Sequence, residues 1–196
     1  MDQQVLTWAR AASHRHGTTR RVPPLWLFTD ARRLPDPRAA VARLPRGLAG
    51  VVLRHDGEAG RTALGHDLAR ICRARRLVLV VAGDVRLAVA LHAGAHLRAG
   101  QWPGSTRLRH GLLTSSAHNA KELRRARQAG VDLAFLSPAF ATASHADATG
   151  LGPLRWAALA RRAGLPVAAL GGIDGKSIRR LPRQLCRAIG AIGALA

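Results

Sequence analysis

Short apolar segments alternate with helical ones along most of the chain, and this alternation constrains the fold more than any other feature. Eight segments have the length and apolar character of strands: Leu25–Thr29, Gly50–Arg54, Leu77–Val81, Ala95–Leu97, Gly111–Ser115, Val131–Ser137, Pro166–Leu170 and Ala188–Ile192. Helical patterns lie between them: Pro37–Leu44, Thr62–Arg75, Val85–Ala93, Asn119–Ala129, Pro153–Ala163 and Lys176–Leu185. A strand-then-helix order predicts parallel strands in an α/β fold.

A closed barrel accounts for eight strands better than an open sheet does. Open doubly wound sheets more often have five or six strands and a glycine-rich turn after the first. Residues 29–33 follow the first strand here and contain no glycine. The sequence therefore predicts a compact (β/α)8 TIM barrel over residues 25–196. Helix ends agree, because Asn119 is suited to an N-cap, and Gly130 and Gly164 to the positions after helix C-termini.

The N-terminus and the C-terminus depart from a regular barrel. Residues 2–13 read as an extra amphipathic helix, so that residues 1–24 form an N-terminal helix and linker. Between the fourth and fifth strands only Trp102–Arg107 is available, which is too short for a full helix. The sequence stops directly after the eighth predicted strand, so we expect a barrel without its eighth helix. Since the outer face of that strand would expose apolar surface, we expect the N-terminal helix or a second subunit of a homodimer to cover it.

The formal charge of +20 comes mostly from arginine, because only two of the 31 basic residues are lysines. Arginine pairs recur at the same phase of successive helices, which is typical of solvated outer faces: Arg124-Arg125, Arg161-Arg162 and Arg179-Arg180. A nucleic-acid surface would interleave such a stripe with stacking aromatics. The chain has no Tyr and four scattered Trp. We therefore favour a solvated exterior and keep nucleic-acid binding as a weak alternative.

Targeting and redox signals are few. No apolar run approaches the roughly 18 residues that span a bilayer, and the apolar stretch after Arg20-Arg21 is too short for an export signal. We expect a cytoplasmic protein with no membrane partner. Cys72 and Cys186 have no metal-ligand or redox-motif spacing and are expected to be small buried hydrophobes.

Glycines follow the last two strands, where barrels hold phosphate. Gly171 and Gly172 end one buried strand and Gly193 ends the next. Glycine lets backbone N–H groups approach an anion closely, so we predict a phosphate site here. Tight turns, which any α/β protein needs, are the alternative explanation.

Other polar residues fall at the same mouth of the barrel. Arg54 points inward if the side chains of its strand alternate between the two faces, and it could then hold a carboxylate or phosphate. An arginine at the barrel rim that binds no ligand fits the sequence equally well. Thr142, Ser144 and His145 offer hydroxyls and a ring to an anion, although loop polarity explains them equally well. His118 follows the fifth strand and has a side chain suited to proton transfer near neutral pH. Its alternative role is to cap the next helix.

Several segments resemble the thiamine phosphate synthase/TenI family in order and spacing over about residues 25–195. The matching segments are Leu27–Asp30 to "L-V-T-D", His96-Leu97 to "H-L-G-Q", Ser116–Leu123 to "S-x-H-S-x-x-E", Ser137–His145 to "G-P-V-F-P-T-x-T-K", Gly150–Gly152 to the "L-G" of the sixth helix, and Pro166–Ile173 to "P-V-V-A-I-G-G-I". The tail aligns Ile192-Gly193-Ala194 with "I-S-A". The resemblance implies a thiamine-biosynthesis barrel, adds Ile192 to the phosphate site, and adds Gly152 to the substrate-binding residues.

Departures from the family pattern bear on its metal-dependent step. The synthase branch has Gln-x-Arg-x-Lys where Val52, Arg54 and Asp56 stand. Its "N-D-R" becomes Ala82-Gly83-Asp84, which loses a metal carboxylate unless Asp84 shifts by one place. A second carboxylate has no counterpart in residues 98–102, and His145 replaces a pyrophosphate-binding lysine. Magnesium prefers oxygen ligands, so we expect no metal site and no cofactor.

The resemblance then favours the TenI branch, in which the histidine matching His118 is the proposed acid/base of a thiazole phosphate tautomerase. A diverged thiamine phosphate synthase is the other enzymatic interpretation. The non-enzymatic alternative is a barrel that binds a phosphorylated heterocycle without turning it over.

Overall fold

The chain folds into a closed barrel of eight parallel strands in a computed structural model that describes residues 2–15, 22–99, 111–142 and 149–195. The strands are β1 Leu25–Phe28, β2 Ala49–Leu53, β3 Val78–Ala82, β4 Gly94–Leu97, β5 Leu113–Ala117, β6 Leu133–Leu136, β7 Val167–Leu170 and β8 Cys186–Ala191. Each strand pairs in parallel with the next, and β8 closes the barrel on β1. The predicted TIM barrel is confirmed, with strand boundaries displaced by at most two residues.

Helices cover the outside of the barrel. The described α-helices are α1 Gln3–Arg15, α2 Arg38–Arg43, α3 Arg61–Arg75, α4 Val85–Ala90, α5 Ala120–Gln128 and α6 Gly152–Arg162. The predicted caps are present: Asn119 accepts from the Glu122 N–H at 3.0 Å, and Gly130 and Gly164 have positive φ after α5 and α6. The segment Trp102–Arg107 lies outside the described residues.

The helix predicted over Lys176–Leu185 is wrong, because only a 3₁₀ helix, Ser177–Arg180, forms between β7 and β8. Pro182 disfavours a helical conformation in the residue before it, and Leu181 is extended with ψ 141°. The Asp174 carboxylate further fixes a local turn by accepting from the Lys176 and Ser177 N–H groups. A short turn therefore leads directly from the end of β7 into β8.

The helix α1 packs against β8 and covers its outer face. Its apolar side, with Val5, Trp8, Ala9 and Ala12, is buried in the same core as the strands. The Asp2 carboxylate fixes the start of the helix, since it accepts from the Gln4 N–H at 2.8 Å and from the Gly175 N–H at 2.7 Å. Of the two covers expected for β8, the N-terminal helix is the one found.

Truncating the Trp8 side chain is expected to destabilise the barrel, because it is 6% exposed in the layer between α1 and the strands. Loss of a buried tryptophan costs about 3–5 kcal/mol of unfolding free energy. Chemical denaturation of Trp8→Ala measures this, with Arg10→Ala on the exposed side of the same helix as the control. Equal unfolding free energies for the two variants would contradict packing of α1 on the barrel.

Large aromatic side chains of β1 fill the barrel interior, and glycines on the two neighbouring strands leave room for them. Trp26 lies beside Gly50 of β2 and Gly190 of β8 in the strand registers. A Cβ added to Gly50 would lie 2.5 Å from the Trp26 ring, and one on Gly190 2.8 Å from Phe28. Both aromatic rings meet Phe135 edge-on, at centroid distances of 5.6 and 4.8 Å. The interior is therefore packed below the mouth.

Strand alternation sets which side chains reach the mouth. Val52 belongs to the interior cluster and Leu53 to the layer under the helices, so that the next residue, Arg54, turns inward as predicted.

The arginine pairs behave as solvated faces, since all six side chains on α5, α6 and the 3₁₀ helix are exposed: Arg124, Arg125, Arg161, Arg162, Arg179 and Arg180. Cys72 and Cys186 are buried as expected, and burial raises the pKa of the Cys72 thiol to about 12. Among the described helices, none has the length and apolarity needed to cross a bilayer.

Candidate functional site

A cavity of about 600 Å³ opens at the carboxyl ends of the barrel strands. Seven residues singled out from the sequence line it: Arg54, His118, Thr142, Gly171, Gly172, Ile192 and Gly193. Gly152 instead begins α6, where its N–H donates to the Ala139 carbonyl, and it is not among the described lining residues. Ser144 and His145 lie outside the described residues. The structure thus gathers residues from β2, β5, β7 and β8 around one cavity.

The glycine turns after β7 and β8 form one end of the cavity. Gly171 and Gly172 have φ of 91° and 65°, which favour glycine. A Cβ on Gly172 would lie 2.5 Å from the Ala141 carbonyl oxygen, and the Ser177 hydroxyl donates to the Gly172 carbonyl at 2.8 Å. The tight turn and the close approach of backbone therefore coincide here. Both features are accounted for by a tight turn, and phosphate binding at Gly172 stays a prediction.

Arg33 belongs to this end of the cavity, although sequence reasoning missed it. Its guanidinium is 3.8 Å from the Cβ position of Gly193, and both residues line the cavity. The Asp30 carboxylate makes a turn after β1 by accepting from the Arg32 and Arg33 N–H groups. The sequence signal for this placement was Asp30, because an Asp side chain often makes a turn with the backbone of the residues that follow it. It brings a positive charge to the predicted phosphate site.

Asp30 also orients Arg54. Its second carboxylate oxygen accepts from the Arg54 guanidinium at 2.8 Å. Burial raises the pKa of Asp30, but the hydrogen bond from the Arg33 N–H and the positive charge of Arg54 outweigh it, so that this pKa lies below its usual value. An ionised Asp30 thus holds Arg54 at the rim of the cavity, and the Arg54 side chain remains 40% exposed.

His118 reaches the cavity from the end of β5 with one ring nitrogen already engaged. Its Nδ1 lies 2.8 Å from the carbonyl oxygen of Ser137. Because a carbonyl oxygen only accepts, Nδ1 carries the proton and Nε2 is the basic nitrogen of the neutral ring. The cap of α5 is Asn119, not His118. The ring is therefore held in a fixed tautomer at the cavity wall.

His96 lies at the floor of the cavity, in a role that sequence reasoning did not assign. Its Nδ1 and Nε2 are each 2.9 Å from a hydroxyl, of Thr114 and Ser116 respectively. The side chain is 3% exposed, and its ring meets the edge of Phe28 at 5.6 Å. Burial lowers the pKa of His96 to about 3, and the positive charges of Arg54 and Arg98 act in the same direction. The floor is therefore polar and uncharged at neutral pH.

Stability is expected to fall on acidification because of His96. Between pH 6.5 and pH 3 the unfolded chain binds a proton that the folded His96 does not, so stability decreases as the pH falls. One proton changes the unfolding free energy by about 1.4 kcal/mol per pH unit, or roughly 2 kcal/mol at pH 5.

The variant His96→Gln keeps hydrogen-bonding capacity and removes the titration. Denaturation at pH 7 and pH 5 should show a smaller acid-side loss for this variant than for the wild type. His66→Gln, on the exposed side of α3, is the matched control and should keep the wild-type loss. Equal losses in all three proteins would show that His96 is protonated in the fold.

The residues at the ends of β2, β3 and β4 do not fit the magnesium ion that the family resemblance implies. Gly83, which replaces a carboxylate of the family pattern, carries no ligand, and its Cβ position is 3.2 Å from the Arg98 guanidinium. Asp84 does not replace it, because Asp84 caps α4 through the Leu87 N–H at 2.9 Å. Among the described residues after β2, the Asp56 carboxylate pairs with Arg98 at 2.8 Å. The Arg98 guanidinium thus lies beside both Gly83 and Asp56, where oxygen ligands would be needed.

Comparisons with known proteins agree over most of the chain. The family model described as thiamine monophosphate synthase (TMP-TENI) matches residues 25–195. The thiamine-phosphate synthase of Geobacillus thermodenitrificans is 33% identical over 147 residues, covering 69% of this chain and 64% of that protein. The enzyme of the same name from Staphylococcus carnosus is 27% identical over 189 residues, covering 88% of each chain.

The structure of a thiamine phosphate pyrophosphorylase from Pyrococcus furiosus superposes with a TM-score of 0.71 at 22% identity, covering 87% of this chain and 85% of that one. This likeness supports the barrel fold. The chain spans just under two thirds of the length of the Geobacillus thermodenitrificans enzyme and of the thiamine-phosphate synthase of Geobacillus kaustophilus, at 64% and 65%.

Proposed function

The chain belongs to the thiamine monophosphate synthase family, and we propose that its cavity binds a thiazole phosphate and tautomerises it, as the TenI branch does. In this proposal the protein does not couple that thiazole to a pyrimidine diphosphate. The observation that carries the proposal is the position of His118, a histidine of fixed tautomer that lines the same cavity as the glycine turns.

The glycine turns and Arg33 support phosphate binding at one end of the cavity. Backbone N–H groups of closely packed turns attract anions, and the Arg33 guanidinium adds a full positive charge beside Gly193. This end therefore suits the phosphate of a thiazole phosphate. The ring of that ligand would then extend from the turns toward the cavity wall that carries His118.

Tautomerisation removes a proton from one position of the thiazole phosphate carboxylate and returns one at another, without net change in composition. A neutral imidazole with Nδ1 on a carbonyl accepts a proton at Nε2 and gives it back from the same atom. The Ser137 carbonyl also stabilises the imidazolium formed in between, since it accepts from Nδ1–H at 2.8 Å. One histidine thus suffices for both proton transfers.

Arg54 supports binding of a second acidic group of the same ligand. Its guanidinium lines the cavity while Asp30 holds it in place, and a guanidinium pairs well with a carboxylate. The carboxylate of the thiazole is the group that this arrangement suits.

The test is incubation of the protein with thiazole phosphate carboxylate in EDTA, followed by chromatography of the tautomers. We expect conversion without any addition. Thiamine phosphate that forms only when pyrimidine diphosphate and Mg²⁺ are both added would establish the synthase instead. Tight binding of the thiazole phosphate with neither reaction would establish a non-catalytic binding barrel.

A further inference from the structure

We infer that Asp2, the residue before α1, is a positioning residue for the two glycine turns of the cavity, so that docking of the N-terminal helix is coupled to anion binding at those turns. The inference deepens the proposed function, since it rests on the phosphate site proposed there. Asp2 is not among the described residues that line the cavity. It therefore acts on the ligand through the turns and not by contact.

Asp2 makes hydrogen bonds to the loops after both β7 and β8. Its Oδ2 accepts from the Gly175 N–H at 2.7 Å, and its own N–H donates to the Ala194 carbonyl at 3.0 Å. Its remaining acceptors belong to α1, because Oδ1 accepts from the Gln4 N–H at 2.8 Å and the Asp2 carbonyl from the Leu6 N–H at 3.2 Å. One residue thus fastens both loops to the start of the N-terminal helix.

The contact at Gly175 reaches the cavity through a turn that is closed by its own hydrogen bonds. The Ser177 hydroxyl donates to the Gly172 carbonyl at 2.8 Å and accepts from the Asp174 N–H at 2.9 Å. The Asp174 carboxylate accepts in turn from the Ser177 N–H at 2.7 Å. Because these bonds join the segment from Gly172 to Ser177, a displacement of Gly175 is passed on to Gly172, which lines the cavity.

The contact at Ala194 is nearer to the cavity, since Ala194 and Gly193 both line it. The next residue, Leu195, donates from its N–H to the Ile192 carbonyl at 3.1 Å and is only 1% exposed. The apolar side of α1 is buried in the same core as Leu195. The position of α1 on the barrel therefore sets the position of Asp2 against this turn. Coupling of this kind is reciprocal, so anion binding at the turns also favours the docked helix.

Gly175 leaves the room that this contact needs. A Cβ on Gly175 would lie 2.7 and 2.8 Å from the two carboxylate oxygens of Asp2, and 2.8 Å from Oε1 of Gln4. Gly175 is not among the glycines of positive φ, so its backbone accepts an alanine. Gly175→Ala is therefore expected to displace the Asp2 side chain while leaving its charge in place.

Electrostatics alone predicts the opposite result from positioning. A carboxylate repels a phosphate group near it, so removing the charge of Asp2 would by itself strengthen phosphate binding. A positioning role predicts that binding becomes weaker, because the turns lose a contact that fixes their geometry. The sign of the change in affinity thus distinguishes the two roles.

An NMR titration of the isotope-labelled whole protein with inorganic phosphate tests the coupling. The amide signals of Gly171, Gly172 and Gly193 report binding at the turns themselves. We expect Asp2→Ala to lower the phosphate affinity by about five- to tenfold. Asp2→Asn, which keeps one acceptor oxygen, should lose less.

Two further variants complete the comparison. Gly175→Ala should lower the phosphate affinity in the same direction as Asp2→Ala, although it changes no charge. Asp36→Ala is the matched control, because the Asp36 carboxylate accepts from the Arg38 N–H at the start of α2 at 3.0 Å and its side chain is 65% exposed. Its phosphate affinity should stay within about twofold of the wild type.

A phosphate affinity of Asp2→Ala that equals or exceeds that of Asp36→Ala would overturn the inference, as would a wild type whose glycine amides do not respond to phosphate. Unfolding of Asp2→Ala should remain cooperative, because the apolar side of α1 stays buried. If α1 detaches in Asp2→Ala, Gly175→Ala decides alone, and wild-type affinity in that variant overturns the coupling.

The outcome is separable from that of the proposed function. Phosphate binding at the turns requires neither a thiazole nor His118, whereas tautomerisation requires both. A protein that shows the expected loss in Asp2→Ala but does not convert the thiazole contradicts the tautomerase alone.

Discussion

Replacing His118 by alanine is expected to lower the turnover of thiazole phosphate carboxylate by about 10²–10⁴-fold, which is the usual contribution of a positioned acid/base. The ring lines the cavity and is oriented by the Ser137 carbonyl, and no second basic side chain is needed in the proposed reaction. The apparent KM should change by less than about threefold, because the proposed binding mode holds the phosphate at the glycine turns rather than at this ring.

Single-turnover assays of wild type and His118→Ala measure the effect, and His66→Ala is the matched control. His66 is an exposed histidine on α3 that does not line the cavity, so its variant should keep full activity. If His118→Ala retains wild-type turnover, the tautomerase mechanism proposed here is wrong. A large rise in KM with unchanged kcat would make His118 a binding residue.

Gly193→Ala and Gly172→Ala are expected to separate phosphate binding from stability. The nearest described atom to a Cβ on Gly193 is the Arg33 guanidinium, at 3.8 Å. The added methyl group therefore fits the protein but occupies space where the phosphate would approach the turn. We expect an unfolding free energy within about 0.5 kcal/mol of the wild type and a loss of thiazole phosphate affinity of about tenfold.

Gly172→Ala should behave differently, because its φ of +65° is strained for alanine and its Cβ would meet the Ala141 carbonyl oxygen at 2.5 Å. The combined strain and overpacking cost about 2–4 kcal/mol of unfolding free energy. Denaturation and calorimetric titration of both variants provide the comparison. Wild-type affinity in Gly193→Ala would place the ligand's phosphate elsewhere in the cavity.

The end of the cavity with the glycine turns was predictable because its residues are consecutive with the strands that carry them. Once a barrel is expected, Gly171, Gly172 and Gly193 fall at strand ends by counting alone. His118 and Arg54 follow in the same way, from the end of a strand and from its alternation. All of them line the observed cavity.

Other parts of the site could not be obtained by counting. His96 was visible at the end of β4, but its two hydroxyl partners lie 18 and 20 residues away on β5. The helix expected over Lys176–Leu185 does not form, because Pro182 and the turn made by Asp174 outweigh the helical spacing of its apolar residues. A local sequence pattern gives the secondary structure that a segment prefers, and tertiary packing decides whether that structure forms.

The sequence by itself determined that this chain closes an eight-stranded parallel barrel, because strand length, apolar character and alternation are properties of consecutive residues. The tertiary structure alone decided which further side chains join the predicted residues at the barrel mouth. Arg98 lies against Gly83, and Arg33 lies beside Gly193, and neither pair shares an element. In each pair a long arginine side chain meets a glycine that lies on a different part of the barrel. Such meetings depend on three-dimensional distance and charge, which the order of residues does not contain.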